Sequence, residues 1–315
     1  MKSLPILYIV VPCYNEEEAL PLSAPVFRKK LGDLIDAGAI APESRIVLVD
    51  DGSKDATWSI IRSLHESDAH FTGLRQICNR GHQNALTAGL MWSRARCDIT
   101  ISIDADLQDD IDAMDKMVEK YKEGCGIVCG VRASRATDTF LKRTTARGYY
   151  GLMKLFGSDL IYDHADYRLM SRETLDALSE YHEVNLFLRG IVPTLGYQTS
   201  KVYYERGERE AGESKYPLKK MIAFAIQGIT SFSTKPLSFV TGAGLLSILV
   251  AIGMFVYVLV SLGFGHAIAG WGSMMISIWL IGGLIMLSLG IVGEYVGKIY
   301  MESKHRPRYR IETTL

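Results

Sequence analysis

The sequence predicts an α/β domain built on a largely parallel sheet, followed by an amphipathic interfacial helix and a two-helix transmembrane hairpin. Two patterns carry that expectation. Short apolar runs of strand length alternate with helical segments through the first 131 residues, the signature of βαβ units. Farther on, the 58 residues from Pro236 to Gly293 contain no Lys, Arg, Asp or Glu. A bilayer core takes about 20 apolar residues per helix, so this stretch suits two spans.

The elements follow in order. Leu4 to Val11 is the first strand, and Glu16, Glu17 and Glu18 sit where carboxylates favour a helix N-terminus. Ile46 to Val49 is the second strand. It ends in Asp50-Asp51-Gly52-Ser53, with Ser53 or Asp55 placed to cap the next helix. A third strand is expected from Gly73 to Cys78 and a helix from Gln83 to Arg94, with His82 read as a helix-start residue. Asp98 to Ile103 then runs into Asp104-Ala105-Asp106, a helix covers Ile111 to Lys122, and a strand covers Gly126 to Val131. Ligands bind beyond the carboxyl ends of parallel strands. The clusters Tyr14-Asn15-Glu16, Asp50-Asp51 and Asp104-Ala105-Asp106 therefore converge on one crevice. No G-x-G-x-x-G follows the first strand and no P-loop occurs. The nearest glycine-rich match, Gly242-Ala243-Gly244, falls inside a predicted span.

In the C-terminal part the spans are placed at about 237–262 and 271–293, joined by Gly263-Phe264-Gly265-His266. A hairpin buried in a soluble domain is the alternative, and the unbroken lack of charge disfavours it. Lys219, Lys220 and Lys235 precede the first span; Lys298, Lys304, Arg306, Arg308 and Arg310 follow the second. Excess Lys and Arg marks the cytoplasmic side, so both termini and the α/β domain are expected there, on a multi-pass protein of the inner (plasma) membrane. The short apolar run at the N-terminus lacks a cleavage site and does not read as a signal peptide. Between domain and spans, Pro217 can start a helix on which Leu218, Met221, Ile222, Ala225, Ile229 and Phe232 recur at helical spacing. A core helix of the soluble domain is the competing reading. The expected organisation is thus 1–215 catalytic, 216–235 interfacial, 236–297 transmembrane and 298–315 a basic tail.

Composition narrows the function. The 315 residues are 48% hydrophobic, and 35 basic residues balance 35 acidic ones, which argues against a nucleic-acid partner. The five cysteines are scattered. Only Cys125 and Cys129 are close, without a second pair to complete a zinc site, so buried reduced thiols are expected. Asp104 and Asp106 are two carboxylates one residue apart at a strand end. Alternation along an extended chain would aim both at one cation, and Gln108 adds an oxygen two residues on. Hard divalent ions such as Mg²⁺ or Mn²⁺ take such ligands and bridge them to phosphates. Of Asp50 and Asp51, one is expected to contact ligand and the other to hold the loop.

Three motifs, Val11-Pro12-Cys13-Tyr14-Asn15-Glu16-Glu17, Val49-Asp50-Asp51-Gly52-Ser53 and Asp104-Ala105-Asp106-Leu107-Gln108-Asp109, resemble the signature series of family 2 glycosyltransferases. That family has a GT-A fold and uses nucleotide sugars. Gly130-Val131-Arg132, Lys142-Arg143, Asp166-Tyr167-Arg168-Leu169 and Arg209 to Tyr216 are similar to its polyprenyl-phosphate branch, and Gly293-Glu294-Tyr295-Val296-Gly297-Lys298 to the bacterial glucosyltransferase type. The resemblance implies that Pro12, Tyr14, Glu16 and Asp51 hold the nucleoside. It implies that Asp104, Asp106 and Gln108 hold Mg²⁺ or Mn²⁺, that Asp106 also acts in catalysis, and that Asp104 also contacts the donor. Arg132 and Arg143 would act in catalysis and contact phosphate, joined on the acceptor side by Arg168, Arg209 and Lys215. Asp166 would act in catalysis or orient Arg168.

These parts imply an inverting transfer of a sugar, glucose favoured, from a nucleotide donor such as UDP-glucose to undecaprenyl phosphate for cell-envelope glycan modification. A phosphate monoester is mostly dianionic at neutral pH because its second pKa is about 6, so the acceptor needs cations more than a base. Two rivals stand beside this reading. A processive polysaccharide synthase would carry Q-x-x-R-W, which the contexts of Trp58, Trp92, Trp271 and Trp279 lack. A nonenzymatic membrane scaffold would not require the intact acidic and arginine sets. Small residues at Gly242, Gly253, Gly282, Gly283 and Gly290 could pack against a second copy as a homo-oligomer.

Overall fold

Apolar, β-branched segments covered on both faces become the strands of a central sheet, as parallel strands require. The computed structural model describes residues 4–132, 164–184, 188–205 and 270–315, with ten further residues between 237 and 256. The chain divides into two units. One is Met1–Tyr150 with Asp159–Pro217 and Arg306–Leu315; the other is Gly151–Ser158 with Leu218–His305.

In the first unit, β1 (Leu7–Cys13), β2 (Arg45–Asp50), β3 (Phe71–Gln76) and β4 (Ile99–Ser102) alternate with α1 (Leu20–Asp36), α2 (Thr57–Ser67) and α3 (His82–Ser93). These strands match the expected ones to within a few residues, and all three of their pairings are parallel. The rest departs from a simple parallel sheet. After α4 (Ala113–Lys122) and β5 (Ile127–Arg132), β6 (His164–Ser171) inserts antiparallel between β4 and β5. Helices α5 (Arg172–Ser179) and α6 (Leu188–Ile191) and a 3₁₀ turn at Val192–Leu195 lead to β7 (Thr199–Tyr204), which pairs parallel with β5. The last strand, β8 (Ile311–Thr314), pairs antiparallel with β3. The order is β7-β5-β6-β4-β1-β2-β3-β8.

Leu7, Ile9 and Val11 of β1 pack against Leu20, Phe27 and Leu31 of α1 and Met114 and Met117 of α4, all buried. Each such side chain contributes about 1.5–3 kcal/mol of burial. Lys30 on α1 is drawn into this contact because its Nζ reaches Asp112 at 2.7 Å and Asp115 at 2.5 Å, joining α1 to α4. On the other face α3 lies close over the sheet: a Cβ on Gly89 would stand 2.4 Å from Val10 Cγ1 and 2.8 Å from Val49 Cγ2. The chain enters at β1, winds to β3 and crosses back to β4, so the switch point lies between β1 and β4, where ligands bind in such sheets.

In the second unit, α7 runs from Trp271 to Ser303. Within it Leu280–Ser303 is one helix long and apolar enough to cross a membrane, the one such helix among the described residues. It extends past the boundary expected at Gly293 because Glu294, Lys298 and Glu302 all tolerate a helix. The segment 298–315 is accordingly not a uniform tail: it is helical to Ser303, and Ile311–Thr314 is a sheet strand. The ten described residues between 237 and 256 are all helical. The expected turn at 263–266 and the amphipathic segment 216–235 lie outside the described residues.

Candidate active site

The loops after β1, β2 and β4 and the N-terminus of α3 meet at the switch point. The β1 and β2 loops are tied together by the Asn15 N–H on Ser53 Oγ at 3.0 Å and the Glu16 N–H on Thr57 Oγ1 at 2.8 Å. Asn15 holds φ +54° and Leu107, between Asp106 and Gln108, holds φ +51°. Left-handed backbone at non-glycine residues is uncommon and gathers at functional sites. A hollow of about 460 Å³, lined by Asn15 to Ala19, Lys54 and Asp55, opens beside the tied loops.

Asp50 and Asp51 are both buried. Asp50 Oδ1 accepts the Ser53 N–H at 2.9 Å, and its Oδ2 lies 3.5 Å from Arg75 Nε. Asp51 accepts the N–H of Arg80 and of Gly81, each at 2.8 Å. Burial raises the Asp51 carboxyl above its ordinary range, and these two N–H bonds offset that only in part. Both aspartates hold loops here, where the sequence suggested one for the loop and one for the ligand. Pro12 is buried within β1, whereas Tyr14 is exposed and Glu16 half-buried at the rim.

The acidic pair after β4 sits differently from the expectation. The strand stops at Ser102, so Asp104 and Asp106 occupy a turn and strand alternation does not orient them. Between them Ala105 is buried while both carboxylates remain half-exposed. Gln108 is buried, and its N–H lies 3.3 Å from Asp106 Oδ1. Asp104 keeps 40% of its side chain accessible, yet it is sunk among protein atoms. That burial raises its carboxyl to about 6, with Asp166, Asp109 and Asp106 adding repulsion and His82 opposing them.

Residue 166 reaches this turn because β6 runs antiparallel to β4 with Arg168 opposite Ser102. Asp166 is a buried hub. Its Oδ1 accepts from Arg168 Nη2 at 2.6 Å, and its Oδ2 accepts from Arg189 Nη2 at 3.0 Å and Gln83 Nε2 at 3.2 Å. His82 Nε2 stands 3.5 Å from the same Oδ2 and 3.6 Å from Asp104 Oδ1. Burial would raise the Asp166 carboxyl, but hydrogen bonding to His82 and the charges of Arg189 and Arg168 hold it well below the usual carboxylate range. For His82, burial opposes the charge, and the bond to Asp166 with the Asp104 charge outweighs it, raising the imidazole. These contacts favour the ionised form of Asp166.

Arg168, expected on phosphate, is instead 1% exposed and spends its guanidinium on Asp166 and the Leu188 carbonyl. The β-strand alternation that makes Asp166 face Arg168 also turns the arginine inward. The cation at this position with an accessible face is Arg189, 36% exposed on α6. Sequence reasoning missed Arg189 and Gln83 and gave His82 no duty. The signal available was position: His82 and Gln83 open a helix at the carboxyl end of β3. Arg132 is half-buried with Nη2 3.3 Å from Asp109 Oδ1, and Asp109 also accepts from Tyr204 Oη at 2.5 Å. Arg143, Arg209 and Lys215 lie outside the described residues. Among the cysteines, Cys13, Cys97, Cys125 and Cys129 are buried and Cys78 is exposed, being in the loop after β3.

A mixed α/β sheet with acidic turns meeting at its switch point is a GT-A-like arrangement. The model of glycosyl transferase family 2 matches residues 8–179, more than half of the chain. The chain belongs to that family and is a glycosyltransferase. It is 51% identical over 318 residues to the uncharacterized glycosyltransferase YkoT of Bacillus subtilis (strain 168), covering 100% of this chain and 93% of the relative. It is 42% identical over 309 residues to the bactoprenol glucosyl transferase of Shigella phage SfV, covering 96% and 97%. A solved structure, glucosyl-3-phosphoglycerate synthase from Mycobacterium tuberculosis in complex with Mn²⁺, UDP-glucose and phosphoglyceric acid, matches at TM-score 0.43 and 18% identity over 72% of this chain and 78% of that one.

Proposed function

We propose that this glycosyltransferase moves glucose from UDP-glucose to undecaprenyl phosphate, or another polyprenyl phosphate, at the cytoplasmic face of the plasma membrane. The observation that carries the reading is the 42% identity, across 96% of the chain, with a bactoprenol glucosyl transferase. The crevice and the apolar helix agree with it in chemistry.

Asp104, Asp106 and Gln108 suit a divalent cation. Two carboxylates and an amide leave positions for diphosphate oxygens and water, the habit of Mg²⁺ and Mn²⁺. Burial is the main cause of the upward push on Asp104, and the added repulsion from Asp166, Asp109 and Asp106 is negative charge that such a cation would relieve. When bound, it supplies charge neutralisation for the departing diphosphate. Among the described residues no group of three or more His, Cys, Asp and Glu side chains could hold a metal ion by itself; in this reading substrate oxygens would complete the ligand set. Tyr14 and Glu16 would border the nucleoside, with Pro12 and Asp51 shaping the wall behind it.

The acceptor phosphate, already dianionic, attacks the anomeric carbon from the face opposite the leaving group and inverts it. Asp166 acts by holding His82, Gln83, Arg168 and Arg189 in place rather than by moving a proton. Arg132 and Arg189, with Arg143, Arg209 and Lys215 from the remaining sequence, would let two anionic groups approach; the guanidinium fork suits phosphate oxygens. The membrane anchor is proposed as a hairpin, a first span within about 237–262 and α7 as the second, with both termini cytoplasmic.

The test uses purified protein in detergent with undecaprenyl phosphate, Mg²⁺ or Mn²⁺, and radiolabelled UDP- and GDP-sugars. Label from UDP-glucose should enter the organic phase, and Asp106→Ala or a chelator should abolish it. Absence of lipid label from every donor would overturn the acceptor assignment.

A further inference from the structure

One short segment of the crevice touches all three acidic positions. The N–H groups of Arg80 and Gly81 hold Asp51, His82 faces Asp104 and Asp166, and Gln83 donates to Asp166. The segment is also pressed against the β2 loop: a Cβ on Gly52, at φ +68°, would lie 2.7 Å from the Asn79 nitrogen and the Cys78 carbonyl carbon. Its root is the end of β3, and the outer edge of β3 is occupied by the C-terminal strand β8. There the Ile77 N–H donates to the Arg310 carbonyl at 3.1 Å, and the Leu315 N–H donates to the Gly73 carbonyl at 2.9 Å. Gly73 has no side chain where Leu315 Cδ1 and Ile61 Cγ2 would stand 2.9 and 2.6 Å from a Cβ, so Leu315 seats into the gap the glycine leaves. Arg80 and Arg310 flank a hollow of about 100 Å³ with Ile77 and Cys78.

We propose that β8 is a positioning element of the donor site: by pairing with β3 it fixes the backbone of residues 77–83 and, through it, Asp51, Asp104 and Asp166. The strand lies far from the acidic clusters in sequence, after α7, and touches none of them directly. Two paths lead inward: one from the Arg310 carbonyl to the Ile77 N–H, through the backbone to Arg80 and Gly81, and onto Asp51, the other from Glu312 to Arg75 at 3.6 Å and on to Asp50 at 3.5 Å. An edge strand that only covered β3 would support stability alone, because any covered edge satisfies the exposed backbone groups. A positioning strand alters how the donor is held. The inference rests on the nucleotide-sugar reading above.

The experiment compares the full chain with a variant ending at Tyr309, which lacks Arg310 and all of β8, both purified in detergent. It measures UDP-glucose affinity, acceptor KM, kcat and Tm. Donor affinity should fall about tenfold, the scale of one misplaced set of hydrogen bonds to a charged group. The acceptor KM should stay within about twofold. A peptide spanning residues 308–315, added in trans, should restore donor affinity by strand addition. Unchanged donor affinity in the shortened chain would overturn the proposal, and so would a fall in Tm with equal losses in every kinetic constant that the peptide does not reverse. A second measurement needs no variant and serves if the shortened chain does not fold. UDP-glucose bound to the full chain should slow amide exchange at residues 77–81 and at 311–315 together, because coupling is reciprocal. Protection at 77–81 alone would overturn the proposal. If the full chain binds no nucleotide sugar at all, the donor reading itself fails, an outcome distinct from both.

Discussion

Asp166 gathers two arginines, a glutamine and a histidine around one buried carboxylate. Removing one member of a buried charge set strands the others, so Asp166→Asn should cost about 3 kcal/mol at neutral pH, read by denaturant unfolding of the solubilised protein. The pH dependence has a definite sign. An unfolded aspartate titrates near 3.9, and the folded carboxyl lies well below the usual range. Its contribution is therefore complete above the unfolded value and is lost as pH falls through the folded one. The stability gap between Asp166→Asn and the parent should narrow progressively below about pH 4. Asp104→Asn and Asp106→Asn remove charge where the donor diphosphate is proposed to lie. Turnover should fall about 100-fold or more, the scale of one preorganised electrostatic contact, while Tm changes little. A loss of Tm that matched the loss of turnover would sink that assignment.

At the scale of elements, close approaches decide the crevice. Helix α3 brings His82 and Gln83 to the switch point only because Gly89 lets it settle onto Val10 and Val49. Gly89→Ala should lower stability by about 1–3 kcal/mol through overpacking, visible as a lower denaturation midpoint. Gly52→Ala combines left-handed backbone with a clash against the backbone of Cys78 and Asn79. It should weaken nucleotide binding more than Gly89→Ala does, as measured by titration calorimetry with UDP-glucose. β6 is the element that the sequence concealed. Its motif was recognisable by resemblance, but nothing local marks Asp166-Tyr167-Arg168 as an antiparallel insertion between β4 and β5.

For the whole molecule, the apolar face of α7 is, among the described residues, what the proposed bilayer would cover. Leu280, Met286, Leu287 and Leu289 are exposed on a helix that bears few charges. Replacing Leu287 and Leu289 by lysine should cost about 2.5–3.5 kcal/mol each on membrane insertion. With only the first proposed span left to hold it, the share of the protein extracted by alkaline carbonate should rise above that of the parent.

Local pattern was enough for the first half of the domain. The four strands β1 to β4 are runs of buried apolar residues, and the polar clusters after them had to converge because parallel strands share one carboxyl end. The uncharged stretch from 236 to 293 and the family motifs were equally plain, since both reside in consecutive residues. Tertiary structure alone decided what depends on pairing between distant segments. The register of β6 against β4 carried Asp166 to Asp104 and turned Arg168 inward, while Arg189 stays partly exposed beside it. The burial of Asp50 and Asp51 came from loop packing, and the seat of Ile311–Thr314 on β3 came from an edge with unpaired backbone groups. Composition along the chain records which residues prefer to be buried or charged. Which buried charges meet is determined by long-range register, and no local window of sequence contains it.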